Sequence, residues 1–461
     1  MVNQIIILME EKMSHIFRQN DIRGVAGIDL TDSTVSELGR GLAAYYLKQH
    51  VDTISLGYDC RLSSLPFRNL LVESLLESGI NVYDLGMCST PLVYFSLFQL
   101  RVGGGVMITG SHNPPNENGF KICLGKTTIF GEQIQLIQRI IENKEFYRGK
   151  GKGRLWEYPL IPEYLNHLRE ILQPGSKRLK VVIDAGNGTG NLTAVKIYQD
   201  LGCEVIDLYS EPDGNFPHHH PDPTIPDNLL DLIHQVQANQ ADLGIAFDGD
   251  ADRIGVVDTK GRLIWGDQLM IIFAADIIPK NPGVKIIGEV KCSQTMFDQI
   301  QKMGGTPVMW KVGHSLIKAK MMEEGALLAG EMSGHLFFGD RYFGYDDAVY
   351  AGARLLEILS HSKSSLTQMV DNLPQTYTTP ELRVDCPDAE KFKVVNDLTE
   401  IFRTKYQVID IDGARIIFKN GWGLVRASNT QPILVLRFEA DSPETLAQIE
   451  TEVRAQLYKL K

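Results

Sequence analysis

The sequence predicts an α/β protein of three α/β domains followed by a C-terminal domain of α+β type. Three observations predict it. First, strand-like and helix-like patterns alternate through roughly the first 370 residues: Thr53–Gly57 reads as a strand, Pro66–Ser78 as a helix and Asn81–Leu85 as the next strand, the rhythm of layered α/β structure. Second, linker-like compositions recur at Arg148–Arg154 (Arg-Gly-Lys-Gly-Lys-Gly-Arg), around Asp258–Gly261, and at Asp371–Gln375, dividing the chain into 1–154, 155–260, 261–372 and 373–461. Third, the last segment breaks the rhythm. Trp422–Ala427 and Pro432–Phe438 read as two strands around a loop, and Ser442-Pro443 opens a helix with serine as N-cap and proline at its first position. Leu446, Ile449, Val453, Leu457 and Leu460 share one face of that helix. No sequence repeat links the first three domains, so any likeness between them is structural.

The chain has 461 residues, 43% hydrophobic and 22% charged, with a formal net charge of −11. Several globular domains fit that length. The acidic balance argues against nucleic acid as partner, because a phosphate backbone selects basic surface; a small anion remains possible where cations gather locally. The six cysteines, Cys60, Cys88, Cys123, Cys203, Cys292 and Cys386, are scattered and form no Cys-x-x-Cys pair, which suits reduced thiols in a cytoplasmic protein. The run Ile5–Met9 is too short for a signal-peptide core and has no basic residue before it. It reads as a leader before the fold or as a first edge strand. No segment is long and apolar enough to cross a membrane.

Chemistry concentrates in four places. Thr109-Gly-Ser-His-Asn-Pro-Pro115, followed by Asn118-Gly-Phe-Lys121, comes directly after the strand-like Val106–Thr109. A serine hydroxyl is a poor nucleophile unless activated, and Ser111 has His112 beside it and Lys121 ten residues on. Asp248-Gly-Asp-Ala-Asp-Arg253 follows the apolar Leu243–Phe247; in extended backbone Asp248, Asp250 and Asp252 share one face, and three adjacent carboxylates call for a hard cation such as Mg²⁺. An EF-hand would need Gly at Arg253 and Glu at Thr259, so that reading fails. A phosphatase with Asp248 as nucleophile remains a rival for this motif alone. Gly330-Glu-Met-Ser-Gly-His335 offers a carboxylate, a hydroxyl and an imidazole suited to vicinal sugar hydroxyls. Arg426-Ala-Ser-Asn-Thr430 offers an arginine fork with small donors, a phosphate cradle. Each motif alone is compatible with an ordinary polar turn; their joint occurrence carries the argument. The segments Phe17–Gly24 and Gly57–Ser63, together with Lys291 and His314, add cations that singly read as surface salt-bridge partners.

Two stretches invite a different reading. Asp184-Ala-Gly-Asn-Gly-Thr-Gly190 follows a strand-like run, with Asp207 about twenty residues on, yet Asn191 stands where a dinucleotide-binding motif needs its third glycine. It is read as a tight turn into a helix. His218, His219 and His220, flanked by prolines, cannot easily converge on one zinc and are read as part of a rigid interdomain loop.

Taken together, the four motifs resemble the α-D-phosphohexomutases in order and rough spacing, from Phe17 onward. The Glu-Met-Ser-Gly-His form and the stretches Arg341–Asp347 and Ala353–Ile358 resemble the bacterial phosphomannomutase/phosphoglucomutase branch; phosphoglucosamine mutases carry Gln where this chain has Met332. The resemblance implies three similar α/β domains and a fourth, TATA-binding-protein-like domain around a central cleft. It implies Ser111 as a phosphoserine, with Asp248, Asp250 and Asp252 joining it as Mg²⁺ ligands. Glu331 and Ser333 would hold the sugar O3 and O4. Arg426, Ser428, Asn429 and Thr430, with Lys291, would hold the non-reacting phosphate. Arg23, His112, Lys121, Arg253, His314 and His335 would line the reacting end, with Lys121 and His335 as the two candidates for general base. Relatives often carry Tyr where this chain has Asn20, so position 20 is left out of the site.

The implied reaction interconverts hexose 1-phosphate and hexose 6-phosphate, of mannose or glucose, through a glucose or mannose 1,6-bisphosphate that turns over within the enzyme and also serves as activator. Phosphoglucosamine mutase and Mg²⁺-dependent sugar phosphatase are the alternatives. The partners expected are small hexose phosphates, with no nucleic acid and no membrane, acting on a monomer. The domain after Asp371–Gln375 is the expected mover on ligand closure.

Overall fold

The computed structural model describes residues 15–147, 149–429 and 431–460. The Ile5–Met9 run, Arg148 at the head of the first linker, and Thr430 lie outside the described residues. The backbone forms two compact units. One runs to Leu269 and takes in Ser333–Met369; the other comprises Met270–Met332 and Val370–Lys461.

The first unit contains two sheets. In the first sheet, β1 (Ile22–Val25), β2 (Thr53–Tyr58), β3 (Asn81–Met87), β4 (Gly104–Ile108) and β5 (Glu117–Leu124) lie in the order β1-β5-β4-β2-β3. β2 pairs in parallel with both β3 and β4, whereas β5 runs antiparallel to β4 and β1. Every residue of β4 is buried, as a strand covered on both faces requires. Helices Asp32–Lys48 and Glu132–Glu142 cover the sheet; Ile134, Ile137, Ile140 and Ile141 form the buried stripe of the latter. Open α/β sheets bind ligands beyond the carboxyl ends of their strands, and Ser111 stands just past the end of β4.

The second sheet has the order Leu263–Ile264, Ile254–Val257, Leu243–Phe247, Lys180–Asp184, Glu204–Leu208. Phe247 pairs with Ile254 across an antiparallel register, so residues 248–253 form the loop that joins two hydrogen-bonded strands. Asp258–Gly261, read from sequence as a linker, is a turn inside this sheet: Asp258 is buried and its Oδ1 accepts from the amides of Lys260 and Arg262 at 3.0 Å each.

In the second unit, Lys285–Glu289 pairs in parallel with Thr306–Trp310 and Leu328–Gly330. Lys291, His314 and Glu331 each follow the carboxyl end of one of these strands. The C-terminal sheet orders Tyr377–Thr378, Ile433–Ala440, Gly421–Ala427, Ala414–Phe418 and Gln407–Ile409, with Leu382–Asp385 also pairing Ile433–Ala440. Sequence reading found two of these strands. The others are short, exposed at alternate positions, or follow the helix Asp388–Arg403. The closing helix Pro443–Leu460 starts where expected, with Thr445 N donating to Ser442 Oγ at 3.2 Å, and buries Ile449, Val453 and Leu457 against the sheet.

Candidate active site

Ser111 sits in the left-handed region, with φ of 50°, and is buried. A non-glycine residue there is strained unless its surroundings hold it. Here they do. Arg61, whose side chain is wholly buried, donates from Nη2 to Ser111 O at 2.8 Å and Asn113 O at 2.6 Å, and from Nη1 to Glu117 O at 2.8 Å and to Pro114 O. Asp59 Oδ2 lies 3.2 Å from Arg61 Nε and accepts from Gly110 N at 3.2 Å. A Cβ on Gly110 would stand 2.5 Å from the Arg61 guanidinium, so the close approach demands glycine. The segment Gly57–Ser63, read as a source of surface salt bridges, thus supplies the internal brace of the serine loop.

The three aspartates converge by a turn rather than by extended backbone. The strand ends at Phe247, Ala251 adopts φ of 57°, and Asp248 Oδ1 accepts from the amides of Asp252 and Arg253 at 3.1 Å each. All three carboxylates are fully buried. Ser111 Oγ donates to Asp248 Oδ2 at 2.8 Å and lies 3.1 Å from His112 Nδ1. Lys121 Nζ donates to Asp250 Oδ2 at 2.7 Å and to Asp252 Oδ2. Thr90 adds its hydroxyl to Asp250 and its amide to Asp250 O. Burial, then the charges of Asp250 and Asp252, push the Asp248 carboxyl well above the usual range. Burial pushes Asp250 in the same direction, but Lys121 outweighs it and holds that carboxylate below its ordinary value. Burial likewise pulls the Lys121 ammonium down, and Asp250 with Asp252 more than reverses the effect.

This donor set fits a divalent metal. The carboxylate oxygens of Asp248, Asp250 and Asp252 lie within 4.8 Å of one another, and the buried Oδ1 atoms of Asp250 and Asp252 have no hydrogen-bond partner. Three buried carboxylates this close together favour a cation between them. An all-oxygen set suits a hard cation.

Around this cluster the first unit gathers Arg23, His112, Arg253 and His335 of the residues expected at the reacting end, whereas His314 belongs to the second unit. Arg23 donates from Nε to Asp21 at 2.6 Å and from Nη1 to Gly110 O at 2.9 Å. Arg253 Nε donates to His335 Nε2 at 2.9 Å, and His335 Nδ1 lies 3.0 Å from Asp346 Oδ2. Loss of solvent, then the Arg253 and Arg23 charges, holds the His112 imidazole well below its ordinary value. Asp346 and Thr90 were missed in the sequence because nothing local distinguishes them; only the fold brings them to the cluster.

The second unit collects the remaining candidates. Arg426 reaches Asp412 Oδ2 from Nε at 3.2 Å and Nη2 at 3.0 Å, and the same oxygen accepts from Val312 N at 3.0 Å. Ser428 is buried, Asn429 exposed. Glu331 Oε1 accepts from Gly313 N at 3.1 Å, and His314 begins the helix His314–Glu324 immediately after Gly313. Lys291, taken singly as a surface residue, is buried, with Nζ 3.2 Å from Glu381 Oε2. Ser333 belongs to the first unit and is half-buried.

The glycine run at 184–190 is a tight turn, as read, leading through Gly190–Leu192 into the helix Ala194–Asp200. It also buttresses the aspartate loop: Thr189 N donates to Gly249 O at 3.0 Å. Of the three histidines, His219 Nε2 lies 3.1 Å from both Asp184 oxygens, and His218 Nδ1 is 2.8 Å from Asn187 Oδ1. These two rings are engaged by their own neighbours.

A buried serine after one α/β sheet thus donates to one of three buried carboxylates that follow a strand of the next. Matches to one family run from residue 14 to residue 456. Phosphoglucomutase/phosphomannomutase alpha/beta/alpha domains I, II and III match residues 14–148, 162–261 and 265–377, and the C-terminal domain of that family matches 381–456. The chain belongs to this family and is an enzyme, a phosphotransferase mutase of three α/β domains plus a C-terminal α+β domain. It is 46% identical over 443 residues to phosphomannomutase/phosphoglucomutase of Pseudomonas aeruginosa, covering 96% of this chain and 95% of that protein. It is 45% identical to phosphoglucomutase of Neisseria gonorrhoeae, covering 95% and 96%. The crystal structure of a phosphoglucomutase/phosphomannomutase family protein from Burkholderia thailandensis superposes with a TM-score of 0.91 at 40% identity over 97% of each chain. The family is metal-dependent, in keeping with the acidic cluster.

Proposed function

We propose that the chain interconverts the 1- and 6-phosphates of mannose and glucose, with Ser111 carrying the phosphoryl group. The observation that carries this reading is the Ser111 hydroxyl at 2.8 Å from Asp248, inside a cluster of three buried carboxylates and Lys121. Phosphoserine 111 donates its phosphoryl group to the free O1 or O6 of a hexose monophosphate. The P–O bond to Ser111 breaks as the bond to the sugar oxygen forms. The resulting 1,6-bisphosphate reorients and returns its other phosphoryl group to Ser111. Such transfers depend on in-line positioning and charge neutralisation. Mg²⁺ held by Asp248, Asp250, Asp252 and the serine oxygen would supply Lewis-acid stabilisation of the serine oxygen as it leaves.

The attacking sugar hydroxyl must lose a proton. Of the two candidates, His335 is the better placed. Its Nε2 has a lone pair, now accepting from Arg253, whereas the Lys121 ammonium is locked between two carboxylates and serves as a fixed positive charge. Arg23 stays protonated and stabilises charge. Glu331 and Ser333 are assigned to O3 and O4, which roughly exchange places when the sugar turns over. Reading those two hydroxyls tolerates either epimer at C2, since rejecting one needs a buried polar group left unpaired. Arg426, Ser428, Asn429 and Thr430, with Lys291, are assigned to the non-reacting phosphate, and His314 to the reacting end.

The division at 154, 260 and 372 is supported by family matches ending at 148, 261 and 377. A cytoplasmic monomer is the expected state, and six free, buried cysteines support a reducing compartment. No described helix is long and apolar enough to cross a membrane.

Intact mass and peptide mapping test the reaction class. The expected result is one phosphoryl group on the Ser111 peptide, removed by excess hexose monophosphate. A phosphoryl group on the Asp248 peptide, with Ser111→Ala still active, would replace this reading with the phosphatase. Parallel rates on mannose, glucose and glucosamine phosphates test the sugar, with glucosamine expected to be poorest.

A further inference from the structure

The loop that carries Lys291 is held by the C-terminal sheet in an unusual way. Three consecutive carbonyls, those of Val290, Lys291 and Cys292, accept from two arginines. Arg415 Nη1 donates to Val290 O at 2.5 Å and to Cys292 O at 2.9 Å, and its Nη2 donates to Gln294 Oε1 at 3.2 Å. Arg437 Nη1 donates to Lys291 O and touches Met332 Sδ. Arg415 is fully buried, its guanidinium 3.8 Å from the Trp422 ring centroid. Glu439 Oε1 accepts from Gln294 N at 3.0 Å and Trp422 Nε1 at 2.9 Å. From the loop's own side, Glu289 accepts from Lys291 N at 2.5 Å and from Met332 N at 3.2 Å.

Burying a guanidinium costs several kcal/mol before its partners are counted, and an apolar side chain would fill the same space without that cost. What an arginine adds is a rigid planar fork that reaches several carbonyls at fixed angles. Both arginines aim that fork at one loop. The strand Ala414–Phe418 carries Arg415, the strand Gly421–Ala427 carries Trp422 and Arg426, and the strand Ile433–Ala440 carries Arg437 and Glu439. Lys291 therefore takes its backbone position from the same sheet that presents Arg426.

We propose that Arg415 and Arg437 are positioning residues that fix the backbone of the Lys291 loop to the sheet that carries Arg426, so that the two cations serve one phosphate. This rests on the assignment of Lys291 to the non-reacting phosphate. The Met332 side chain packs onto Arg437 and so contributes to this support.

A double-mutant cycle tests the proposal. Arg415→Lys keeps the charge but loses the fork. It is expected to raise KM for hexose 1-phosphate about tenfold with kcat within about twofold, and to speed hydrogen exchange at the amides of 290–294. Combined with Lys291→Ala it should cost no more than Lys291→Ala alone, as coupled groups do. Arg437→Lys, which leaves the Trp422 stack intact, enters the same cycle if Arg415→Lys does not fold. Fully additive losses, or unchanged KM and exchange in both arginine variants, would overturn the proposal. A normal KM in Lys291→Ala would instead sink the phosphate assignment of Lys291 and, with it, the functional role of the brace.

Discussion

At the scale of single residues, the decisive feature is how much protein is used to hold one hydroxyl. Ser111 is fixed in a left-handed conformation by a buried guanidinium that donates to four carbonyls of its loop. In-line transfer is sensitive to displacement, and a shift of about 1 Å can cost about a hundredfold in rate. Arg61→Lys, which keeps the charge but loses the fork, should therefore lower kcat by about a hundredfold while leaving KM within about twofold; steady-state kinetics would show this. An equal rise in KM would mean that Arg61 serves substrate binding instead. The importance of Arg61 was not legible in the sequence. An arginine in a loop resembles any surface cation until burial is known. Ser111, Asp248, Asp250 and Asp252 were legible because hydroxyl and carboxylate motifs carry their chemistry in local spacing.

At the scale of elements, the helix Ala348–His361 shows how a cap is tied to a core. Its N-cap, Asp347, accepts from Tyr350 N at 2.9 Å and also from the hydroxyls of Tyr164 at 2.9 Å and Tyr342 at 2.8 Å. The adjacent Asp346 lies against His335. Burial pushes the Asp347 carboxyl up to about 6, with the tyrosine and amide hydrogen bonds opposing it. Asp347→Ala removes a cap and strands two buried hydroxyls, so a loss of about 2–4 kcal/mol is expected; Asp347→Asn, which can still accept, should lose about 1 kcal/mol. Denaturant unfolding would separate the two. Because the folded pKa lies above the unfolded one, the native state binds this proton more tightly, and wild-type stability from this group rises as pH falls from about 6 toward about 4. Asp347→Asn should flatten that rise. The sequence pattern identified helices and strands of this kind, with ends misplaced by a few residues: Pro66–Ser78 was read for a helix that spans Ser64–Glu77. Helix ends are set by caps and tertiary contacts that periodicity does not report.

At the scale of the whole molecule, the two kinds of chemistry are separated along the chain's own architecture. Every metal-ligand candidate, with Lys121 and His335, belongs to the first unit, whereas Lys291, Glu331 and Arg426 belong to the second. Metal binding should then stabilise chiefly the first unit. A ligand that binds only the folded state adds about 2.7 kcal/mol at one hundred times its Kd. A melting scan should accordingly rise by a few degrees in Mg²⁺ over EDTA, and Asp250→Asn should abolish most of the rise. An identical melting curve in both buffers would remove the carboxylate cluster from the list of metal sites.

The sequence by itself determined the class of chemistry, the alternation of α/β layers and the distinct C-terminal domain, because motif spacing and hydrophobic period are local properties of the chain. The tertiary structure alone decided which cations are buried and what they hold. Arg61, Lys291 and Arg415 have nothing in their neighbouring residues to set them apart from solvated charges. What distinguishes them is removal from water and the partners they then must find, and both are created only when distant segments pack together.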